Sequence, residues 1–429
     1  MLLSFSFKGF KSFKEEACLD LRPSMVRDLK YSLLNDEYNS KEAKALSCAV
    51  VYGPNSAGKT NILKALNFFK NIVTSRTVDS IKDSFLATNI HLEKPVISFS
   101  ISFIHNSTLF DYSVSLTLKS VLTLGAETDN KVLDEKLSVN NKPIFERNEE
   151  KVMVNEKNAA DFVNIVSKDF DINKMASQIF QKNTLFISSG FKEYLSISLY
   201  NNFINWFEDY LVVFDNPSSV FIQINESDDK SKINKLNNFS SSIINTVTDT
   251  DHMVRYSKVN GKDNFVPYSE INSNDKRIGV PSSAFESRGS NRLLNILPIV
   301  GQTLAMGGVL AIDEADTSVH PTIISNIIGI FHNPKINTNN AQLIITTHNP
   351  LYLQKSILRR DEIYFVENEK GEGSELYSLS DFKTSGPGSV RNTSDYISNY
   401  FINKYGGIKY VDLSDAVTKF IKDIKSDSK

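Results

Sequence analysis

Cysteine is scarce: the 429-residue chain contains only Cys18 and Cys48. Two thiols cannot build a disulfide framework, and their scarcity fits a reducing compartment. Long apolar runs are missing as well. Every hydrophobic stretch falls well short of the roughly 18 to 20 residues that a membrane span requires, so a transporter with its own membrane domain is excluded. Nor is there an excess of charge of one sign. The 48 Lys and Arg face 50 Asp and Glu for a formal charge of -2, so composition points to no nucleic-acid partner, and any DNA contact would need a local basic patch. There is no fixed-period repeat and no low-complexity tract, and without a sustained heptad pattern before residue 287 long coiled-coil arms are excluded. Met1 to Phe13 alternates apolar and polar residues and carries Lys8 and Lys11 where a signal peptide needs an unbroken apolar core. A cytoplasmic protein of one large or two medium domains is expected.

What is present reads as an α/β rhythm. Leu3, Phe5 and Phe7 recur at period two and predict a strand over 2–8. The apolar run Ser47 to Tyr52, ending in Gly53-Pro54, predicts a strand buried on both faces. Ile62, Leu63, Ala65, Leu66 and Phe69 then fall on one side of a helix over 61–73. Residues 96–123 alternate again and predict antiparallel strands. From about 155 to 250 the chain is rich in Asn, Ser, Lys and Asp with helical patches such as Phe203 to Phe207. Past Arg292 the pattern gives helix 291–305, strand 308–312, helix 321–331 and strands 342–347, 362–366 and 375–379. The expected fold is α/β, a mixed sheet with a parallel core and an antiparallel β subdomain. It divides into an N-terminal lobe over 1–125, a mostly helical insertion over 126–280 and a C-terminal lobe over 281–429.

Three segments carry chemistry. Gly53-Pro54-Asn55-Ser56-Ala57-Gly58-Lys59-Thr60, with Asn61 after it, fits the phosphate-loop pattern and sits between a buried strand and an amphipathic helix. Its glycines let the backbone curl so that successive N–H groups and the helix N-terminus point at phosphates. Lys59 is expected to bridge the β- and γ-phosphates and the Thr60 hydroxyl to ligate Mg2+. The second segment is the apolar run Gly308 to Ile312 ending in Asp313 and Glu314, where Asp313 can hold a Mg2+-bound water and Glu314 can polarise the attacking water. In the third, Leu343 to Thr347 delivers His348 at a strand's carboxyl end, where open α/β sheets bind ligands. His348 is expected to meet the γ-phosphate. Singly, these read as a glycine turn, a solvated acidic loop and a satisfied histidine; their occurrence together favours a nucleotide site.

In this order the motifs resemble the ABC-type ATPase head, in the branch that includes RecF, SMC and OLD-family proteins. The resemblance implies ATP and Mg2+ as cofactors and a head-to-head dimer or higher oligomer. Ser287-Arg288-Gly289-Ser290 resembles the signature loop, which implies that Ser287 and Gly289 touch the γ-phosphate held by the partner molecule; a plain helix cap would also explain them. Ala315 to Pro321 occupies the D-loop position, with His320 where many relatives carry Asp. The usual glutamine after the first helix is lacking, since the first Gln is Gln178, and Asn89 or His91 are candidates to replace it. Lys11 is either a nucleotide-facing base or an exposed turn lysine. The segments 3–13, 313–321, 347–350, 360–365, 376–382 and 405–408 further resemble abortive-infection ATPases of the RloA and AbiLi type. That likeness implies a bacterial phage-defence role and a separately encoded effector such as a nuclease. A RecF-like DNA-repair ATPase is the alternative, which the near-neutral charge counts against. A nuclease domain within the chain is disfavoured because only about 80 residues follow His348, and a GTPase because no guanine-reading Asn/Thr-Lys-x-Asp motif occurs.

Overall fold

Strands buried on both faces can only sit in the middle of a layered structure, and here Cys48–Tyr52, Val309–Ile312 and Gln342–Thr347 form the heart of its central sheet. The computed structural model describes residues 1–26, 28–75, 77–80, 96–118, 130–159, 171–191, 197–214, 222–223, 229–248, 253–258, 264–273, 276–369, 373–383, 395–409 and 412–427. The central sheet has six strands in the order Leu211–Phe214, Val309–Ile312, Gln342–Thr347, Cys48–Tyr52, Ile363–Glu369, Gly373–Ser378. Every pairing is parallel except the last, where Ile363–Glu369 and Gly373–Ser378 form an antiparallel hairpin. Alternate side chains enter two separate cores: Ala49 and Val51 pack beneath the helix Lys59–Ser75, while Cys48, Val50 and Tyr52 pack beneath the helices Arg288–Met306 and Pro321–His332. Burial on both faces explains why these strands read as continuous apolar runs rather than as alternation.

A second, seven-stranded antiparallel sheet begins with Leu2–Lys8 and continues through Val96–His105, Thr108–Thr117, Lys131–Val139, Lys142–Arg147 and Val152–Val154, with Ala17–Asp20 on its other edge. Its inner face is aromatic: Phe5, Phe69 and Phe99 stack on one another, and Phe103 stacks on Trp206 at 4.1 Å. The Gln342 carboxamide joins the two sheets, accepting from Leu2 N–H at 2.5 Å and donating to the Leu2 and Leu46 carbonyls.

The α/β architecture, with its mixed sheet, parallel core and antiparallel subdomain, follows the sequence expectation. The middle of the chain differs. Residues 126–280, expected as a mostly helical insertion, contribute three strands to the antiparallel sheet, the edge strand Leu211–Phe214 to the central sheet, and a separate antiparallel sheet built from Ile222–Gln223, Met253–Lys258, Asn264–Ser273 and Lys276–Pro281. The helix Asp229–Thr248 packs on that sheet. Lys131–Val139 shows the cause: it buries Val132, Glu135, Leu137 and Val139, and a register shift at Leu133 together with a buried glutamate in the apolar series hides the alternation.

Candidate functional site

Parallel strands finish at the same edge of a sheet, so their following loops meet there. In the central sheet the phosphate-loop strand Cys48–Tyr52 lies beside Gln342–Thr347, which lies beside Val309–Ile312. With neighbouring strands about 4.8 Å apart, the turns that begin at Gly53, His348 and Asp313 must lie within about 10 Å of one another.

At the first turn, Ser56 has φ 65° and Gly58 φ 118°. Gly58 is also hemmed in, since a Cβ there would come within 2.7 Å of Ser374 Oγ and 2.9 Å of Ser12 Oγ. Ser374 donates to the Ala57 carbonyl at 2.5 Å, and the Asn61 carboxamide donates to Ser12 Oγ at 2.8 Å. The turn is therefore braced from behind by two segments remote in sequence, with Ala57 buried and Asn55 and Ser56 facing solvent. Lys59 is 5% exposed. Its ammonium donates to the Gly53 and Pro54 carbonyls at 2.9 and 3.1 Å and makes no ion pair among the described residues. Desolvation pushes its pKa down to about 8, with Glu314, Asp313 and Asp316 opposing the fall. A dehydrated cation beside outward-facing backbone suits an anionic ligand. The Thr60 hydroxyl, half-buried, has no hydrogen bond among the described residues.

The acidic turn is fixed by the neighbouring strand. Thr346 donates to Asp313 Oδ1 at 2.5 Å and accepts from the Glu314 N–H at 2.8 Å, and its carbonyl accepts from Ala315 N–H at 3.1 Å. Asp313 is buried and its Oδ2 has no partner among the described residues, which leaves that oxygen for a cation. Glu314 adopts φ 45°, a conformation uncommon outside glycine and asparagine. Asp313 and Thr60 both offer the hard oxygen donors that Mg2+ prefers.

His348 links the two turns. Its Nδ1 lies 3.4 Å from Lys59 Nζ and its Nε2 4.0 Å from Glu314 Oε1. Desolvation and the Lys59 charge lower its pKa, so the ring is neutral near pH 7. The imidazole thus lies between the ammonium on its Nδ1 side and the Glu314 carboxylate on its Nε2 side.

The structure thus brings Lys59, Asp313, Glu314 and His348 together. Ser287 is the N-cap of the helix Arg288–Met306, accepting from Ser290 N–H at 3.0 Å. Gly289 presses on the D-loop segment, where a Cβ would come within 2.6 Å of the Ser318 carbonyl. His320 caps the helix Pro321–His332. Lys11 sits in the turn after the first strand with its ammonium 5.8 Å from the Phe10 ring centroid. Asn89 and His91 lie outside the described residues. Two participants went unread in the sequence. Thr346 is one; the other is Arg292, 6% exposed, which donates from Nη2 to the Asp313 and Glu314 carbonyls at 3.2 Å each while its Nε and Nη1 have no partner among the described residues. Both depend on pairing between distant segments.

The family model described as "AAA domain, putative AbiEii toxin, Type IV TA system" matches residues 48–353, a span from the phosphate-loop strand to just past His348. No curated protein matches the chain. Among solved structures, an SMC head bound to the C-winged helix domain of ScpA is 12% identical with TM-score 0.40, over 88% of this chain and 97% of its own. The SMC head domain from Thermotoga maritima is 13% identical with TM-score 0.36, over 88% and 98%. Among the described residues no helix is long and apolar enough to cross a membrane.

Proposed function

The chain belongs to this family of AAA domains, and on that premise we propose that it is a Mg2+-dependent ATP hydrolase whose heads pair around bound nucleotide. One observation carries the reading: the phosphate-loop lysine, the strand-end histidine and the glutamate form a continuous line, 3.4 Å from Lys59 to His348 and 4.0 Å from His348 to Glu314. A triphosphate seated on the loop offsets the Lys59 charge. Thr60 and Asp313 would hold Mg2+, which would supply charge neutralisation for the phosphates. Glu314 accepts a proton from the attacking water, whose oxygen bonds to the γ-phosphorus as the bond to the bridging oxygen breaks and ADP leaves. Neutral His348 donates from Nε2 to the γ-phosphoryl oxygens. Steady-state phosphate release from MgATP tests the reading; a purified chain that neither binds nor hydrolyses adenine nucleotide refutes it.

For the wider role we propose a sensor or regulatory ATPase of a bacterial anti-phage system that controls a separately encoded effector. The support is the resemblance to abortive-infection ATPases, together with a family description that names an AbiEii toxin. In the paired state Ser287 and Gly289 of one molecule would meet the nucleotide of the other, so that pairing reports nucleotide state. Phage plating on cells carrying the chain and its neighbouring gene, against the same cells with Lys59→Ala, tests this. Equal plaque counts in the two would contradict it.

A further inference from the structure

Thr346 is wholly buried, and its single hydroxyl is engaged in both directions. The parallel register pairs Ile312 with Ile345, so the next residues along, Asp313 and Thr346, fall side by side. The hydroxyl proton goes to Asp313 Oδ1 and the oxygen lone pair takes the Glu314 N–H. A hydroxyl has only one proton to give. The arrangement therefore fixes the Asp313 carboxylate with Oδ1 engaged and Oδ2 uncommitted among the described residues. On the other side it holds the backbone of Glu314 at φ 45°, a strained conformation that persists only where its surroundings enforce it. From that backbone the Glu314 carboxylate lies with Oε1 4.0 Å from His348 Nε2, while its Oε2 accepts from the Thr317 hydroxyl at 3.2 Å.

We infer that Thr346 is a positioning residue for ATP hydrolysis, orienting the cation-binding oxygen of Asp313 and the proton-accepting carboxylate of Glu314 through one hydroxyl. The inference rests on the ATPase reading above. Serine keeps the hydroxyl. Valine keeps the shape, but leaves a carboxylate oxygen and an N–H without their partner.

The test uses the full chain with Thr346→Val and Thr346→Ser, beside Lys59→Ala and Glu314→Gln. Phosphate release gives kcat and KM, and Mn2+ titration of the ADP complex, followed by electron paramagnetic resonance, gives metal affinity without turnover. Thr346→Val is expected to lose about 10- to 100-fold in kcat and to weaken Mn2+ binding about 10-fold or more, the worth of one hydrogen bond to a charged group. Its KM for ATP should move less than about threefold. Thr346→Ser should recover most of both losses. If Thr346→Val does not fold, Thr346→Ala carries the same comparison with Thr346→Ser. Wild-type turnover that needs Lys59 and Glu314 but persists in Thr346→Val with unchanged Mn2+ affinity overturns this inference alone, as do equal losses in the valine and serine chains. Absence of turnover in the unmutated chain overturns the ATPase reading and this inference with it.

Discussion

Two buried cationic sites in this molecule differ in how fully their donors are engaged. In the turn before the strand Ile363–Glu369, Arg359 is completely buried and grips Asp361 from Nε and Nη2 at 2.9 Å each, while Nη1 and Nη2 reach the Asp28 and Val26 carbonyls. Asp361 also accepts from the N–H and hydroxyl of Ser24. At the edge of the central sheet, among the described residues, Lys59 bonds only its own loop's carbonyls and a neutral histidine, and Arg292 keeps two donor nitrogens without partners. Buried polar groups are normally satisfied, and an exception calls for a cause. The first site is closed on itself and pins a loop. The second holds unmet capacity for an anion.

Predictions that press on this contrast follow in descending size. Glu314→Gln should reduce kcat about 100- to 10,000-fold, the usual worth of a positioned base, while ATP still binds; phosphate release and nucleotide titration check both halves. Asp361→Ala leaves the Arg359 charge buried and unpaired and should cost about 3–5 kcal/mol of stability with nucleotide affinity unchanged in the folded fraction. Denaturant melts followed by titration separate these effects. Lys59→Ala should do the reverse, weakening ATP binding about 10- to 100-fold with little change in the melt. A weaker effect concerns pH. Lys59 titrates at about 8 in the free protein, and a bound polyanion favours its charged form, so ATP binding should take up a proton above that pH. Affinity should then fall by up to about tenfold per unit as pH rises past 8, measured by calorimetry in two buffers of different ionisation enthalpy.

The contrast also shows how far the sequence could be read. The phosphate loop and the strands before Asp313 and His348 were legible because double burial writes itself as unbroken apolar runs, and their observed ends fall within about two residues of expectation. The segment around Arg360 and Glu362 was visible only as a likeness, and nothing local announced that its work is to clamp Ser24, Val26 and Asp28. Thr346 and Arg292 were invisible for a related reason. What they do depends on which strand lies next to which, and the register of Ile312 against Ile345 joins residues 33 apart in sequence (345 minus 312). The strands within 131–281 were missed where polar residues interrupt alternation or where, as at Leu211–Phe214, a run of four is too short to distinguish from helix.

The central claim is that Lys59, Asp313, Glu314 and His348 serve one triphosphate. A crystal structure of the Glu314→Gln chain grown with ATP and Mg2+ tests it most directly. The account predicts the γ-phosphate within hydrogen-bonding distance of both Lys59 Nζ and His348 Nε2, and the cation on Asp313 and Thr60. Nucleotide bound elsewhere, or seated on the loop with the acid pair turned away from it, would contradict the account.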